Sequence, residues 1–184
     1  LAPVLWVYRH GRGDSGETDL MGVGRVKKNH PRVVACGAVD ELSAVLGVAK
    51  TFTEHEDIRE VLAKVQEHLF VIGAGLSSPK PLGSARQIGV EHVVYLDSHV
   101  EKYEAELPPL HHFILAGGTR SASLLHLARA VARRAEREVV ALSVVEEVNR
   151  QTLAYLNRLS TLLFALARVT NLRAGVSEVE WRGH

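Results

Sequence analysis

Hydrophobic and polar positions alternate with a helical period along most of the chain. Val39, Leu42, Leu46 and Ala49 recur at three- and four-residue steps and predict a first helix over about Val33–Phe52. Val61, Leu62, Val65, Leu69 and Ile72 do the same for a second, about Ile58–Leu76. Two prolines and a glycine in Ser77–Gly83 break it, and the stretch on to Gly89 reads as a surface loop. A moderately amphipathic third helix covers about Val90–Glu106 and stops before Pro108-Pro109. In the stretch Phe113–Leu142 the chain turns on Gly117-Gly118. It then runs as a fourth helix with Leu124, Ala128, Val131, Ala135, Val139 and Leu142 on one face. A link near Ser143–Glu147 leads to a fifth helix, about Val148–Leu172, apolar nearly all round, as a buried or interfacial helix is. The tail from Gly175 to His184 holds Trp181 and little else. No strand pattern of comparable strength is present. The fold class expected is all-α: a five-helix up-down bundle in one domain, with 1–31 as an N-terminal loop, 33–172 as the bundle and 173–184 as a tail.

Composition narrows the setting. With 184 residues the chain is long enough for one proper core. A formal net charge of +1 gives no global field for nucleic acid or an anionic membrane, so any anion site is local. The one cysteine, Cys36, excludes an intrachain disulfide and a cysteine-based zinc site, and suits a reducing compartment. No apolar run approaches the length of a spanning helix. The expectation is a soluble protein of the cytoplasm, or of the mitochondrial matrix in a eukaryote.

The local charge lies on the fourth helix. Arg129, Arg133, Arg134 and Arg137 put four guanidiniums within nine residues, and the nearby Glu136 cannot neutralise them. Such planar forks suit a polyphosphate, or they form a solvated face paired to Glu136 and Glu138; the spacing leaves both readings open. Asn157 stands inside the apolar fifth helix, either as a core amide that fixes register or as a ligand-facing one. Asp40 and Glu41 lie in the first half of helix one, as dipole-compatible charge or with Asp40 holding an arginine of helix four. The loop Gly11-Arg12-Gly13-Asp14-Ser15-Gly16-Glu17-Thr18 has Walker A glycine spacing, but Glu17 occupies the lysine position and would repel phosphates. A P-loop is therefore rejected; a nest of backbone N–H groups for phosphate oxygens is not. No Glu has a His three residues later, so a di-iron bundle is not expected and no metal ligands are assigned.

Taken together, GDSGET in the N-terminal loop, GRVKKNHPRVVACGAVDELSAVLG, LSSP, FILAGGTRSASLLHLARAVARRAER, YLNRLSTLLFALAR and a tail ending VEWRG resemble one family across nearly the whole chain. It is the PduO-type ATP:cob(I)alamin adenosyltransferases. The chain departs from the family in having Tyr8-Arg9-His10-Gly11-Arg12 in place of threonines before the Gly-Asp, and Ala116 in place of the usual proline before Gly117-Gly118.

The resemblance implies a ferritin-like helical arrangement, a homotrimer with active sites between subunits, and transfer of the 5'-deoxyadenosyl group of ATP to cob(I)alamin. It implies ATP with Mg²⁺ and cobalamin as substrates. Arg12, Gly13, Thr18, Lys28, Arg133, Arg134, Glu136, Arg137 and Asn157 are then expected around the nucleotide. Arg133, Arg129 and Asp40 are the expected catalytic set, with Asp40 and Arg129 bridging the subunit interface. Phe113 is expected against the corrin, displacing its lower axial ligand. A reductase and an adenosylcobalamin-dependent enzyme are the further partners implied. A cobalamin carrier that has lost efficient ATP use is the second reading, and a helical scaffold whose arginines bind partner acids is the third.

Overall fold

The computed structural model describes residues 11–78 and 87–183. Tyr8–His10 and most of the expected surface loop before Gly89 lie outside them. Five helices carry the chain: α1 (Pro31–Phe52), α2 (Glu56–Ser77), α3 (Val90–Glu104), α4 (Arg120–Val145) and α5 (Arg150–Arg173). α1 packs on α2 and α4, α4 on α5, and α5 on α3. The apolar faces read from the sequence are the faces that pack. Val39, Leu42, Leu46, Leu62, Leu69, Ala128, Ala135, Val139 and Leu142 are all buried. On α5, Leu156, Leu159, Leu162, Leu163, Leu166 and Val169 are buried, as expected of a helix with neighbours on several sides.

The helix ends follow local chemistry. His30 caps α1 by accepting from the Arg32 N–H at 3.2 Å, with Pro31 in the first turn where its missing donor costs nothing. Thr119 caps α4 through Ala122 N–H at 3.0 Å, and Asn149 caps α5 through Gln151 N–H at 2.9 Å. α5 ends in a Schellman turn. Gly175 has φ +66°, Val176 N–H donates to Asn171 C=O and Gly175 N–H to Leu172 C=O. α4 runs to Val145, into the expected link, and the residue after it is pinned. Arg32, 3 % exposed, donates to Glu146 Oε2 at 2.5 Å and to the carbonyls of Leu76, Ser78 and Glu147. One guanidinium thereby ties the start of α1 to the end of α2 and to the α4–α5 link.

To the five helices the structure adds two small sheets that no strand pattern in the sequence announced. β1 (Glu17–Leu20) and β2 (Gly24–Lys27) form an antiparallel hairpin, and β3 (Phe113–Ile114) pairs antiparallel with β4 (Glu180–Trp181). Strands of two to four residues are too short to leave an alternating pattern that stands above the helical one. The tail is likewise more than an appendage, since β4 is what β3 pairs with.

Candidate active site

The arginine face of α4 is exposed and poorly compensated. Arg133, Arg134 and Arg137 all reach solvent. Arg134 pairs with Glu41 of α1, while Arg137 Nη1 donates to the Arg133 carbonyl at 3.2 Å. Neither Arg133 nor Arg137 has an ion-pair partner among the described residues. Beside them, Asn157 of α5 donates through Nδ2 to Glu136 Oε1 at 3.0 Å. Asn157 is exposed rather than a core amide, so the register-fixing reading falls. Within the single chain, the α1 carboxylate that meets a helix-four arginine is Glu41. Asp40, one position earlier, points about 100° away from it round the helix; it is exposed and without an ion-pair partner among the described residues.

One turn before Arg133, the same helix contributes to a cavity of about 720 Å³ lined by Leu110, His111, Phe113, Arg129, Phe164 and Trp181, among others. Arg129 is half-buried and lies over the Phe164 ring at 5.9 Å. Its Nε is buried and has no hydrogen-bond partner among the described residues. His126, 3 % exposed, sits behind it with neither ring nitrogen bonded. Burial, then the Arg129 charge, push the His126 pKa down.

Phe113 is 80 % exposed at the cavity edge, and the backbone around it is held from several sides. β3 pairs Phe113 with Trp181, and Leu115 N–H donates to Val179 C=O at 2.8 Å. Asn171 grips the following turn: its Nδ2 donates to Gly117 C=O and its Oδ1 accepts from Thr119 N–H, both at 2.9 Å. Gly118 has φ +105°, and a Cβ there would lie 2.2 Å from Asn171 Oδ1, so only glycine fits this contact. Sequence reasoning found the glycines but missed Asn171. Its signal was available: an amide on a helix face otherwise filled with buried apolar residues.

The N-terminal loop brings another predicted group together. A Cβ on Gly13 would meet Lys28 Nζ at 2.9 Å, so the ammonium lies directly over that glycine. Lys28 N–H donates to Gly16 C=O at 2.9 Å, and the turn at Gly16 has φ +74°. Thr18 lies in β1 opposite Val26. Arg12 pairs with Asp19 at 3.2 Å, and Arg25 Nη2 donates to the Arg12 carbonyl at 2.7 Å. Lys27, with Arg25 behind it, holds the Glu17 carboxyl below its usual range. No hydrogen bond or ion pair among the described residues joins this loop to the α4 arginines. The expected nucleotide residues therefore fall into two groups: Arg12, Gly13, Thr18 and Lys28 on the loop, and Arg133, Arg134, Glu136, Arg137 and Asn157 on α4 and α5. A separate cavity of about 580 Å³ beside Arg32 offers a ligand little, since that guanidinium is already bonded through each of its three nitrogens.

Comparison with known proteins gives this geometry its context. The profile of the family described as "Cobalamin adenosyltransferase" matches residues 8–170. The corrinoid adenosyltransferase of Bacillus subtilis is 42 % identical over 173 residues, covering 92 % of this chain and 89 % of the relative. The cobalamin adenosyltransferase of Cupriavidus metallidurans is 44 % identical over 171 residues, covering 92 % and 91 %. Among solved structures, a phenylalanine-to-alanine variant of the PduO-type ATP:corrinoid adenosyltransferase from Lactobacillus reuteri, complexed with cobalamin and ATP, aligns with a TM-score of 0.87 at 34 % identity. That alignment covers 95 % of this chain and 99 % of the other. The match extends through the arginine face, the Phe113 segment and the N-terminal loop, and on it this chain belongs to the cobalamin adenosyltransferase family.

Proposed function

We propose that the protein transfers the 5'-deoxyadenosyl group of ATP to cob(I)alamin, forming adenosylcobalamin and releasing triphosphate. The observation that carries this reading is the pairing, along one helix, of a poorly compensated arginine face with an aromatic cavity. Arg129 faces the cavity and Arg133 follows one turn later. A polyanion and a large apolar ring system can thus meet along α4. Co(I) supplies the electron pair that forms the Co–C5' bond, and the C5'–O bond breaks with its electrons leaving on triphosphate. The cobalt ends as Co(III). Arg133, Arg134 and Arg137 neutralise the charge on the leaving group, the contribution preorganised donors make best. Glu136, held by Asn157, orients an arginine or contacts the nucleotide. Mg²⁺ is expected to travel with the triphosphate, whose oxygens are the hard ligands it prefers.

The site is completed, in this reading, by a second copy in a homotrimer. Support comes from Asp40, exposed and without an ion-pair partner among the described residues, and Arg129, whose buried Nε has no hydrogen-bond partner among them. The loop of residues 11–28 makes no bond to the α4 arginines it would join around ATP. A neighbouring copy brings Asp40 to Arg129 and the loop to the phosphates. Phe113 meets the corrin and displaces its lower axial donor, which eases reduction of Co(II). No helix among the described residues is long and apolar enough to cross a membrane. The lone Cys36 fits a reducing compartment, the cytoplasm or an organelle matrix. A reductase that supplies Co(I) and an enzyme that uses adenosylcobalamin are the partners this chemistry requires.

The test is anaerobic addition of protein, Mg²⁺ and ATP to chemically reduced cob(I)alamin. The absorption spectrum is expected to convert to that of adenosylcobalamin, about 100-fold more slowly with Arg133→Ala. Sedimentation is expected to give three times the 20.2 kDa chain mass. An unchanged spectrum overturns the reaction, and a monomer overturns the shared site.

A further inference from the structure

We propose that Trp181 forms the second aromatic wall of the corrin site, held there by a buried latch between Arg168 and Glu178. The inference rests on the assignment of the Phe113 cavity to cobalamin. Phe113 and Trp181 stand directly opposite each other across the β3–β4 ladder and line the same cavity. Directly paired side chains share one face of a two-stranded sheet, close enough to touch a common ligand. Both are exposed, Phe113 by 80 % and Trp181 by 56 %. Two large aromatic side chains left open side by side at a cavity mouth mark a binding surface rather than a core.

A two-residue strand pair has little stability of its own. The structure supplies what holds it. Arg168 of α5 is 6 % exposed, and its Nε donates to both carboxylate oxygens of Glu178, at 3.1 and 3.0 Å. Its Nη2 donates to Pro108 C=O at 2.9 Å. The same guanidinium lies over the ring of Phe164, the cavity's inner wall, at 6.0 Å. One buried charge thus ties together the segment that leads into β3, the segment that leads into β4, and the wall between them. Such a pair stabilises a fold little beyond its apolar substitutes but fixes geometry. Arg168 and Glu178 are therefore positioning residues, acting through Trp181 and Phe113.

A planar indole beside the Phe113 ring suits a flat, mostly apolar macrocycle and has no role toward triphosphate. The experiment compares Trp181→Ala, Trp181→Phe, Glu178→Gln and Phe113→Ala with the wild-type protein. The readouts are KM for cob(I)alamin, KM for ATP, and the absorption change of cob(II)alamin on adding protein and ATP. Trp181→Ala is expected to raise KM for cobalamin about tenfold and to diminish the cob(II)alamin change, with KM for ATP unmoved. Trp181→Phe is expected to restore most of the loss. Glu178→Gln is expected to shift cobalamin parameters in the same direction with its circular dichroism intact, and it decides the matter if Trp181→Ala does not fold. Equal effects on both KM values, or none on either, overturn the proposal. If Phe113→Ala alone disturbs cobalamin, Trp181 is no wall and the cavity assignment stands. If neither Phe113→Ala nor Trp181→Ala does, the cavity assignment itself has failed.

Discussion

Asn157 on α5 donates to Glu136 on α4 at 3.0 Å, and both lie at the open surface where Arg133 and Arg137 also reach solvent. An exposed asparagine on a helix so thoroughly apolar does nothing for packing, and its intrinsic helix preference is poor. Asn157→Leu is therefore expected to leave stability within about 0.5 kcal/mol of wild type and to raise KM for ATP about tenfold, the worth of one or two hydrogen bonds. Steady-state kinetics beside a denaturant titration checks this. A large loss of stability with KM for ATP unchanged would return Asn157 to a structural role.

Phe113→Ala is expected to slow turnover that starts from cob(II)alamin while leaving ATP affinity unchanged. The side chain is too exposed for its loss to open a cavity in the core. Its expected work is to exclude the lower axial ligand, so turnover from cob(I)alamin should suffer less. Comparing rates from the two oxidation states measures that difference. Loss of ATP binding would place Phe113 on the wrong side of the reaction.

Arg32 carries a prediction about stability alone. Arg32→Met leaves Glu146 and the carbonyls of Leu76, Ser78 and Glu147 without their donor in a buried junction. Breaking one side of such a pair costs about 3 kcal/mol or more, a fall in Tm of about 6–12 °C for a chain of this size. The folded fraction should keep its KM for ATP. A Tm within about 2 °C of wild type would show that the junction closes without Arg32.

Acid weakens the bundle through His68. The ring is buried, bonded through Nδ1 to the Tyr155 hydroxyl at 3.0 Å and edge-on to His92 and Tyr95 at 4.6 and 5.5 Å. Burial, with His92 and Lys64 nearby, lowers its pKa from 6.5 to about 4, outweighing Glu67. The unfolded chain therefore binds this proton first. Stability from His68 is full above pH 6.5, falls as pH drops towards 4, and levels off below. The whole step is worth about 3 kcal/mol. Denaturant titrations at several pH values should show it, flattened in His68→Gln. An equal slope in that variant would assign the acid sensitivity to other groups.

Much of this was legible in the sequence, because the core obeys one simple rule. The three- and four-residue steps from Val39 to Ala49, and from Ala128 to Leu142, are set by the geometry of a buried helix face, and no distant residue alters them. Gly117-Gly118 read correctly as a turn for the same local reason. The contacts that shape the site are of another kind. Trp181 opposite Phe113, Asn171 beneath Gly118 and Arg168 on Glu178 join residues that no periodicity connects, and strands of two residues leave no pattern. Asp40 was singled out for a helix-four arginine, yet Glu41 makes that pair within the chain. Adjacent carboxylates on a helix look alike in sequence and differ only in the direction they point. The assignment of Asn157, Glu136 and the arginines to a nucleotide came from family resemblance, because charge spacing alone also fits a solvated face.

The most direct test of the account is the fate of the phosphates. Adenosylcobalamin and inorganic tripolyphosphate should be measured together in an anaerobic reaction of cob(I)alamin with ATP, for the wild-type protein and for Arg133→Ala. One tripolyphosphate per adenosylcobalamin, with both rates falling together in the variant, is the expected result. Release of ADP or of single phosphates, or a variant as fast as wild type, would contradict attack at C5' with an arginine-held triphosphate as the leaving group.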